Sequence, residues 1–482
     1  MLSSAITVKA AICGLVGLWV TLLLTPFIRR WAIGRNLLDR AEQFHTTHTI
    51  AVPRVGGLAL MLSFTAVIFT ILLMATANQI RVPGEIGVIV FTCLAIFVLG
   101  FWDDIHPLGA RVKLFFQVVV AVAVYAGGLR IEQWVNPFTQ TVHQLGIWNG
   151  PLTVLWLVGV TNLINLVDGI DGLAAGLVFL IMILLAVVAG MGGNFFVMLL
   201  AVGMAGTLLA FLYYNFPPAK IFMGDGGAYF LGMLIAELAL LNANKGEVAV
   251  ALMVPFFALG LPIIDASFTI LRRVLVGLPI FRADRRHIHH RLVEMGFSRQ
   301  RVVLLLYAFC VFFSLLALGV FVSKGRLLPV FFGIFMMVMV FSLRTFGFVQ
   351  NWYVLGRVLT SSVHRRKHTR YALLLGQLLL IETERCASLD ELWKEFGFTL
   401  RKLGFCAARL QSATDEKRWG GDVIPDWLAR VAGTTTGVVS ELTLYVPRGQ
   451  WDDATFQLLS ELAFESWARA SARWRSIQRI QG

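Results

Sequence analysis

Charged residues are scarce in this chain: Asp, Glu, Lys and Arg together make up 14% of its 482 residues. A soluble domain usually carries about 25% charged and about 45–50% apolar residues. Here 57% of the residues are hydrophobic. The composition excludes a wholly soluble protein and predicts a polytopic membrane protein with a soluble tail.

Cysteines are also few, and none of the five pairs with another at the spacing of a zinc site or a redox motif. Three of them lie in apolar runs, so we predict small buried hydrophobic residues. A cleavable signal peptide is not expected either, because the first apolar run is long and ends in Arg29-Arg30.

The formal net charge of +13 is the feature that could suggest nucleic acid. The basic residues, however, cluster at one end of alternate apolar runs, which is typical of charge that sets membrane topology. We therefore expect no nucleic-acid partner. Basic pockets on that membrane face suit phosphate groups instead.

Long apolar runs dominate the first 345 residues. A spanning helix needs about 20 mostly apolar residues. By that measure the sequence contains eleven candidate spans, near residues 6–28, 55–76, 85–101, 112–128, 150–166, 172–190, 195–214, 226–243, 247–271, 301–322 and 326–345.

The orientation of these spans follows from their flanking basic residues. Lys and Arg are dense after the odd-numbered spans, as at Arg29-Arg30 and at Arg285-Arg286, and sparse after the even-numbered ones. The loops that follow odd-numbered spans are therefore predicted to be cytoplasmic, with the N-terminus outside and the C-terminus inside.

Four polar motifs fall in these cytoplasmic loops. They are Asp103-Asp104, the segment 162–172, the segment 222–227 and the segment 285–291. The assignment of these loops to the cytoplasm rests on the spans and the basic residues alone. Because all four motifs nevertheless fall in cytoplasmic loops, we predict one composite site on the inner membrane face.

The segment 162–172 is the strongest of the four. Asn162, Asn165 and Asp168 are three residues apart and share one side if the segment is helical. Amide and carboxylate oxygens are what Mg²⁺ binds. The alternative is a loop whose amides and glycines only form turns.

Two further motifs carry carboxylates. Asp103-Asp104 can hold a metal or take a proton, with Lys113 as a nearby cation for a phosphate; helix capping is the alternative. In the segment 222–227, glycines around Asp225 suit a diphosphate near a helix N-terminus, and Phe222 can stack on a base. A turn with a capping aspartate is equally compatible with that segment.

The fourth motif is the basic loop, with Arg285, Arg286, His287, His289, His290 and Arg291. Its neighbouring cations repel a metal and no cysteine joins it, so a zinc site is disfavoured. Cationic clamping of a phosphorylated substrate fits better, and a loop that only sets topology is the alternative. Separately, Glu237 lies deep in the eighth span, where a carboxyl marks either function or a satisfied polar pair.

After about residue 346 charged residues become frequent and no run is long enough to span a membrane. The segment 374–405 is patterned as an amphipathic helix, 438–446 alternates like a strand, and 452–477 is patterned as a closing helix. We predict a cytoplasmic α/β domain over residues 346–482. Its pattern resembles the start and end of a GAF-type domain.

With these motifs in this order, residues 1–345 resemble the polyprenyl-phosphate N-acetylhexosamine-1-phosphate transferases of glycosyltransferase family 4. The opening of the second span, Pro53-Arg54-Val55-Gly56-Gly57, belongs to the resemblance. It implies an all-α bundle of about eleven transmembrane helices with a cytoplasmic active-site cleft, in the inner membrane of a bacterium. It also implies Mg²⁺, with Mn²⁺ as a substitute, and leaves a homodimer open.

The resemblance assigns a role to each motif residue. Asp225 matches the principal Mg²⁺ ligand, and Asn165 a second one. Asp103 and Asp104 match groups that handle the lipid phosphate or its proton. The remaining catalytic matches are Asp168, His287, His289 and His290, and the substrate-binding matches are Lys113, Asn162, Asp171, Phe222, Arg285, Arg286 and Arg291, with Asp171 and Phe222 at the uracil.

The implied reaction transfers N-acetylhexosamine 1-phosphate from a UDP-sugar to undecaprenyl phosphate and releases UMP. The spelling His-Ile-His-His favours UDP-GlcNAc as donor, with phospho-MurNAc-pentapeptide or a deoxy-N-acetylhexosamine as alternatives. Direct attack and an aspartyl-phosphate intermediate both stay open. A transporter is disfavoured because most ionisable residues lie at span ends. A catalytically dead scaffold is disfavoured because every motif carboxylate is present.

Overall fold

The fold is taken from a computed structural model that describes most of the chain. It covers residues 4–35, 37–39, 52–135, 141–243, 260, 292, 296–323, 325–345, 355–411, 416–421, 427–432, 441–451 and 453–481. Apart from Gly260, the ninth predicted span (247–271) lies outside these residues, as does the basic loop 285–291.

Two compact units make up the chain. The first contains the described residues from 4 to 345 and is mostly helical. Its helices are α1 (Ser4–Gly34), α2 (Gly56–Ala77), α3 (Glu85–Ile105), α4 (Ala110–Ala126), α5 (Asn149–Val167), α6 (Leu173–Met191), α7 (Phe195–Asn215), α8 (Gly224–Ala243), α9 (Arg299–Val322) and α10 (Leu328–Thr345).

Ten of the eleven predicted spans fall on these helices. In the part of the chain that the structure describes, eight helices are long and apolar enough to cross a membrane: α1, α2, α3, α5 with the turn before it, α6, α7, α8 and α9. Helix α4 has only 17 residues, and the apolar stretch Leu328–Val338 of α10 is also shorter than a span. The finding confirms a multi-pass architecture rather than the number eleven.

Helix α8 is the most enclosed of the eight. In the most apolar 18-residue stretch of α8, 94% of the residues are buried, whereas the corresponding fractions are 28% for α1 and 33% for α9. Helices α3 and α5 lie against it. Large apolar side chains on the outer helices are exposed, as at Trp19 and Phe27 on α1 and Phe91 on α3, which is how a lipid-facing surface is built.

Short antiparallel strand pairs occupy two connections. Strand β1 (Leu38–Asp39) pairs with β2 (Val52–Pro53), just before α2. Strand β3 (Gln133–Val135) pairs with β4 (Val142–Gln144), with Gln133 opposite Gln144. The second pair lies in the connection between α4 and α5.

The second unit contains the described residues from 355 to 481. Helices α11 (Leu355–Glu382) and α12 (Leu389–Leu403) precede a sheet of β5 (Ala407–Gln411), β6 (Glu416–Gly420), β7 (Trp427–Ala432) and β8 (Glu441–Pro447), and α13 (Asp453–Gln481) follows. The strand order is β6-β5-β8-β7, with all neighbours antiparallel.

The predicted single amphipathic helix over 374–405 is wrong, because the chain breaks it between α11 and α12. Ser388 caps α12 by accepting from the Glu391 amide at 3.2 Å, while the Glu391 carboxylate accepts from the Ala387 amide at 2.7 Å. Such a capping arrangement starts a new helix. The strand and closing helix were predicted close to β8 and α13, whereas β5, β6 and β7 were not predicted.

Candidate active site

Asp225 lies in the first turn of the central helix α8. The preceding Gly224 has a φ of +71°, which a glycine adopts without strain. The turn before it is fixed by the start of α2: the Phe222 amide donates to the Pro53 carbonyl at 2.8 Å, and the Gly56 and Gly57 amides donate back to Phe222 and Met223 at 2.8 Å. The Pro-Arg-Val-Gly-Gly segment therefore serves as a docking strand for the Asp225 turn.

Asp104 caps helix α8 from a different helix. One of its carboxylate oxygens accepts from the Asp225 amide at 2.8 Å, and the other accepts from the Gly226 amide at 3.0 Å. Helix α3 approaches closely enough because residue 100 is glycine; a Cβ there would be 2.6 Å from the Asp225 carbonyl. Capping, the alternative raised for Asp103-Asp104, is thus what Asp104 does in this structure, but across two helices.

The Asp225 carboxylate gathers side chains from two more helices. Asn165 on α5 donates its amide to one oxygen at 3.0 Å. Lys113 on α4 donates to the other at 3.2 Å, and the Tyr229 hydroxyl lies 3.4 Å from that same oxygen. Lys113 also forms an ion pair with Asp103, whose second oxygen accepts from the Leu108 amide at 2.7 Å.

Asp168 follows the end of α5 and adds a further carboxylate. Its burial, with the charges of Asp225 and Asp104, raises the pKa of Asp168 well above its usual range, and Arg54 only partly offsets this. Among the described residues, four carboxylates therefore face two cations, Lys113 and Arg54. If all four were ionised they would exceed the two cations by two negative charges, and a bound divalent cation would favour that ionised state.

The other predicted site residues lie around this cluster. Asp171 is buried and accepts from the Ala219 amide at 3.0 Å. Asn215 joins the two turns, since its oxygen accepts from the Gly172 amide at 3.1 Å and its nitrogen donates to the Ile221 carbonyl at 2.9 Å. Asp171 and Phe222 are thereby held on linked turns.

Asn162, predicted to bind substrate, is engaged within the protein. Its amide nitrogen donates to the Gln117 side chain at 2.7 Å, and the Gln117 nitrogen lies 3.4 Å from the Asn162 oxygen. Arg285, Arg286, His287, His289, His290 and Arg291 lie outside the described residues, so their roles stay predictions.

The cluster fits a metal ion that also needs substrate oxygens. No three His, Cys, Asp or Glu side chains within the described ranges are arranged to hold one ion. Asp225 and Asn165 nevertheless place a carboxylate and an amide side by side. Mg²⁺ is commonly held by one or two carboxylates together with substrate phosphates, and this donor set is compatible with that mode.

Sequence reasoning missed three residues that complete the arrangement: Gln117, Asn215 and Tyr229. Gln117 had a signal, because it lies four residues after Lys113 and so on the same face of one helix. Tyr229 had the same signal, because it lies four residues after Asp225 on one helix. Asn215 had none, since its partners are backbone groups of two separate turns.

Comparisons with known proteins match the same part of the chain. Residues 86–243, which contain every cluster residue except Arg54, match the model for glycosyl transferase family 4. Over 311 residues the chain is 37% identical to "Probable undecaprenyl-phosphate N-acetylglucosaminyl 1-phosphate transferase" of Bacillus subtilis (strain 168). That alignment covers 64% of this chain and 85% of the relative.

Two further relatives share the name "Phospho-N-acetylmuramoyl-pentapeptide-transferase". The protein of Shouchella clausii (strain KSM-K16) is 32% identical over 318 residues, which cover 62% of this chain and 92% of that protein. The protein of Geobacillus sp. (strain WCH70) is 29% identical over 330 residues, which cover 66% and 98%. With its apolar helices, its converging carboxylates and these relatives, this chain is a bacterial multi-pass membrane protein that belongs to glycosyl transferase family 4, the polyprenyl-phosphate N-acetylhexosamine-1-phosphate transferases.

Proposed function

We propose that the protein transfers N-acetylglucosamine 1-phosphate from UDP-GlcNAc to undecaprenyl phosphate, releasing UMP. This reaction initiates a cell-envelope glycopolymer. The observation that carries the proposal is the convergence of three helices, α3, α4 and α5, on the Asp225 turn at the start of α8. The name of the Bacillus subtilis relative supports the choice of substrates.

The chemistry is a displacement at phosphorus. An oxygen of the lipid phosphate attacks the β-phosphorus of the UDP-sugar, the bond from that phosphorus to the bridging oxygen breaks, and UMP leaves with the electron pair. Reactions of this type depend on positioning and on charge neutralisation. The site supplies carboxylates for a divalent cation and Lys113 for a phosphate oxygen.

Mg²⁺, with Mn²⁺ as a substitute, would be held by Asp225 and Asn165. When bound it would neutralise charge on the diphosphate. Asp171 and Phe222 lie on the linked turns proposed to receive the uracil. The basic loop, with its three histidines, would add positive charge at the phosphates.

Asp103 is the better placed of the two α3 carboxylates to act on the acceptor. Both Asp104 oxygens accept backbone N–H groups of α8, whereas one Asp103 oxygen accepts a backbone N–H and the other pairs with the Lys113 side chain. In direct attack Asp103 orients or deprotonates the lipid phosphate. In a covalent route it is the nucleophile and forms an aspartyl-phosphate.

The proposed topology has eleven spans, an outer N-terminus and a cytoplasmic C-terminus. The site then faces the cytoplasm, where UDP-sugars are available, and residues 346–482 form a cytoplasmic domain. The density of basic residues after odd-numbered spans supports this orientation. A homodimer is compatible with it.

A second candidate is the same chemistry with UDP-MurNAc-pentapeptide as donor. It is favoured by the relatives named phospho-N-acetylmuramoyl-pentapeptide-transferase, which are 27–32% identical to this chain. The 37% identity to the N-acetylglucosaminyl relative and the spelling His-Ile-His-His at 287–290 favour UDP-GlcNAc. A deoxy-N-acetylhexosamine donor is the remaining alternative.

A donor panel tests the proposal. The purified protein is incubated with undecaprenyl phosphate, Mg²⁺ and a UDP-sugar labelled with ³²P at the β-phosphorus, and the label in extracted lipid is counted. We expect labelled lipid with UDP-GlcNAc, none without the lipid acceptor, and strong loss with EDTA. Labelling by UDP-MurNAc-pentapeptide alone would support the second candidate, and no labelling with any donor would contradict both.

A further inference from the structure

Helices α4 and α5 are tied together by a pair of side-chain amides. Asn162 donates to the Gln117 oxygen at 2.7 Å, and the Gln117 nitrogen faces the Asn162 oxygen at 3.4 Å. The second Asn162 N–H bonds the Val158 carbonyl at 2.8 Å. Gln117 is only 1% exposed. Gln117 is thus a buried amide whose hydrogen-bond partner, Asn162, is itself exposed.

The pair lies one helical turn from the clamp on Asp225. On α4, Lys113 precedes Gln117 by four residues; on α5, Asn165 follows Asn162 by three. Residues at these spacings share a helix face. Lys113 and Asn165 hold the two opposite oxygens of Asp225. The distance between α4 and α5 at the amide pair thus sets the gap in which that carboxylate is held.

Few of the side chains of helix α4 are buried in the described structure, so its polar ties matter to its position. Of its 17 residues, three are buried: Gln117, Ala121 and Val124. Phe115, Phe116, Val118 and Val119 are exposed on the same helix. An amide without a partner in apolar surroundings costs about 1–3 kcal/mol, so the paired arrangement is favoured over a helix that has moved away.

We propose that Gln117 and Asn162 are positioning residues that set the α4–α5 spacing and so hold Lys113 and Asn165 on Asp225. Asn162 then acts through Gln117 rather than by touching the donor. The catalytic consequence rests on the proposed function, while the effect on Lys113 does not.

Four variants separate this role from direct substrate contact: Gln117→Leu, Asn162→Leu, the combination of both, and the exchange Gln117→Asn with Asn162→Gln. The exchange keeps one amide on each helix and the same total side-chain length. We expect each leucine variant to lower kcat at least about tenfold, because small misplacements of reacting groups have effects of that size or larger. The combined leucine variant should be no worse than the singles, and the exchange should recover most of the rate.

Tyr125→Phe is the matched control. The Tyr125 hydroxyl donates to the Asn149 side chain at 2.9 Å, so it is a polar tie between the same two helices at their other end. This variant should lower the melting temperature in detergent about as much as Gln117→Leu. It should leave kcat unchanged, because its partner lies far along α5 from Asn165.

Acylation of Lys113, followed by mass spectrometry, gives a readout that needs no activity. In the wild-type protein Lys113 is engaged by Asp103 and Asp225, so its amine should react slowly. Gln117→Leu and Asn162→Leu should speed the acylation of Lys113 severalfold, and the exchange and Tyr125→Phe should not. A wild-type protein that is inactive with every donor would refute the proposed function, and the acylation rates would still judge the amide pair.

The inference is overturned by either of two results. One is unchanged Lys113 acylation in both leucine variants. The other is a loss of kcat in Asn162→Leu that Gln117→Leu does not share and that the exchange does not recover, since that pattern marks Asn162 as a direct substrate contact.

Discussion

Among the described residues, the first unit of the chain has a buried cluster of ion pairs that the second unit lacks. In the first unit the side chains of Lys113 and Asp103 are 24% and 4% exposed, and they meet at a single cluster. In the second unit the ion pairs lie on the surface: the side chains of Arg473 and Glu384 are 49% and 54% exposed. Exposed pairs contribute about 0–1 kcal/mol, whereas a buried pair must first overcome a desolvation cost of several kcal/mol.

Stability in the second unit comes from an aromatic and aliphatic core. Trp393, Phe396 and Trp467 pack with ring centroids 5.1–5.7 Å apart. The first unit has its own extensive apolar core. The ionisable groups gathered at one buried cluster are therefore the candidates for function, while those on the surface of the second unit favour solubility. The predictions below test this contrast.

The largest effect should come from Asp225→Asn. The amide keeps the volume but loses the charge that faces Lys113 and the proposed cation. We expect transfer to fall at least about 10²-fold, with little change in melting temperature. Asp390→Asn on the second unit, where Asp390 pairs with Lys417 at the surface, should retain full activity. Equal activity in the two variants would remove Asp225 from the metal site.

The next largest effect is expected from Gly100→Ala. The added Cβ would meet the Asp225 carbonyl at 2.6 Å and force α3 away from α8, and such overpacking costs about 1–3 kcal/mol. Both melting temperature and transfer should fall. Gly87→Ala on the same helix meets nothing within 4 Å, so it should leave transfer unchanged and stabilise slightly. If the two variants behaved alike, close approach at Gly100 would not position Asp104.

The contrast between the units also explains what could be predicted. Apolar runs about 20 residues long and carboxylate motifs at their ends are local patterns. Helices α1–α10 and the cluster residues Asp103, Asp104, Asn165 and Asp225 could therefore be picked out from the sequence. The groups that Asp104 binds could not be predicted, because they are backbone amides 121 and 122 residues further along the chain. No local pattern encodes a cap supplied by another helix.

In the second unit the failures have a different physical origin. Strand β6 reads Glu-Lys-Arg-Trp-Gly and has no alternation of apolar residues. It forms by antiparallel pairing with β5, in which Ala408 lies opposite Trp419. An edge strand specified by its partner rather than by its own sequence is invisible to periodicity. The break before α12 was missed although the sequence carries a signal for it, because Ser388 followed three residues later by Glu391 is a capping pair.

A moderate effect is expected from Asp168→Asn, which should raise thermal stability at alkaline pH while it lowers transfer activity. Because the pKa of Asp168 is raised in the folded protein, the folded state binds its proton more tightly than the unfolded state does. The wild-type protein therefore loses stability as the pH rises from about 4, the ordinary value, through the folded-state pKa. The asparagine variant has no such proton, so it should melt higher at pH 8 in EDTA while its transfer activity is lower.

The pH dependence of that difference is the control for Asp168→Asn. At pH values below the ordinary aspartate pKa, Asp168 is protonated in both states and the two proteins should melt together. The advantage of the variant should then grow as the pH rises. A variant that melts lower than the wild-type protein at pH 8 would show that Asp168 is stabilised as an anion, which contradicts the direction inferred from its burial and its carboxylate neighbours.

The smallest effect is expected on the surface of the second unit, from Glu384→Gln. The pair with Arg473 is half exposed on both sides, and exposed pairs are screened by water and salt. Unfolding free energy should change by less than about 1 kcal/mol, and transfer should not change. The comparison with Asp225→Asn then holds the chemistry of the substitution constant and varies only the surroundings. A large loss of activity in Glu384→Gln would mean that the second unit's surface charges act on the reaction, and the division between functional and solubilising charge would fail.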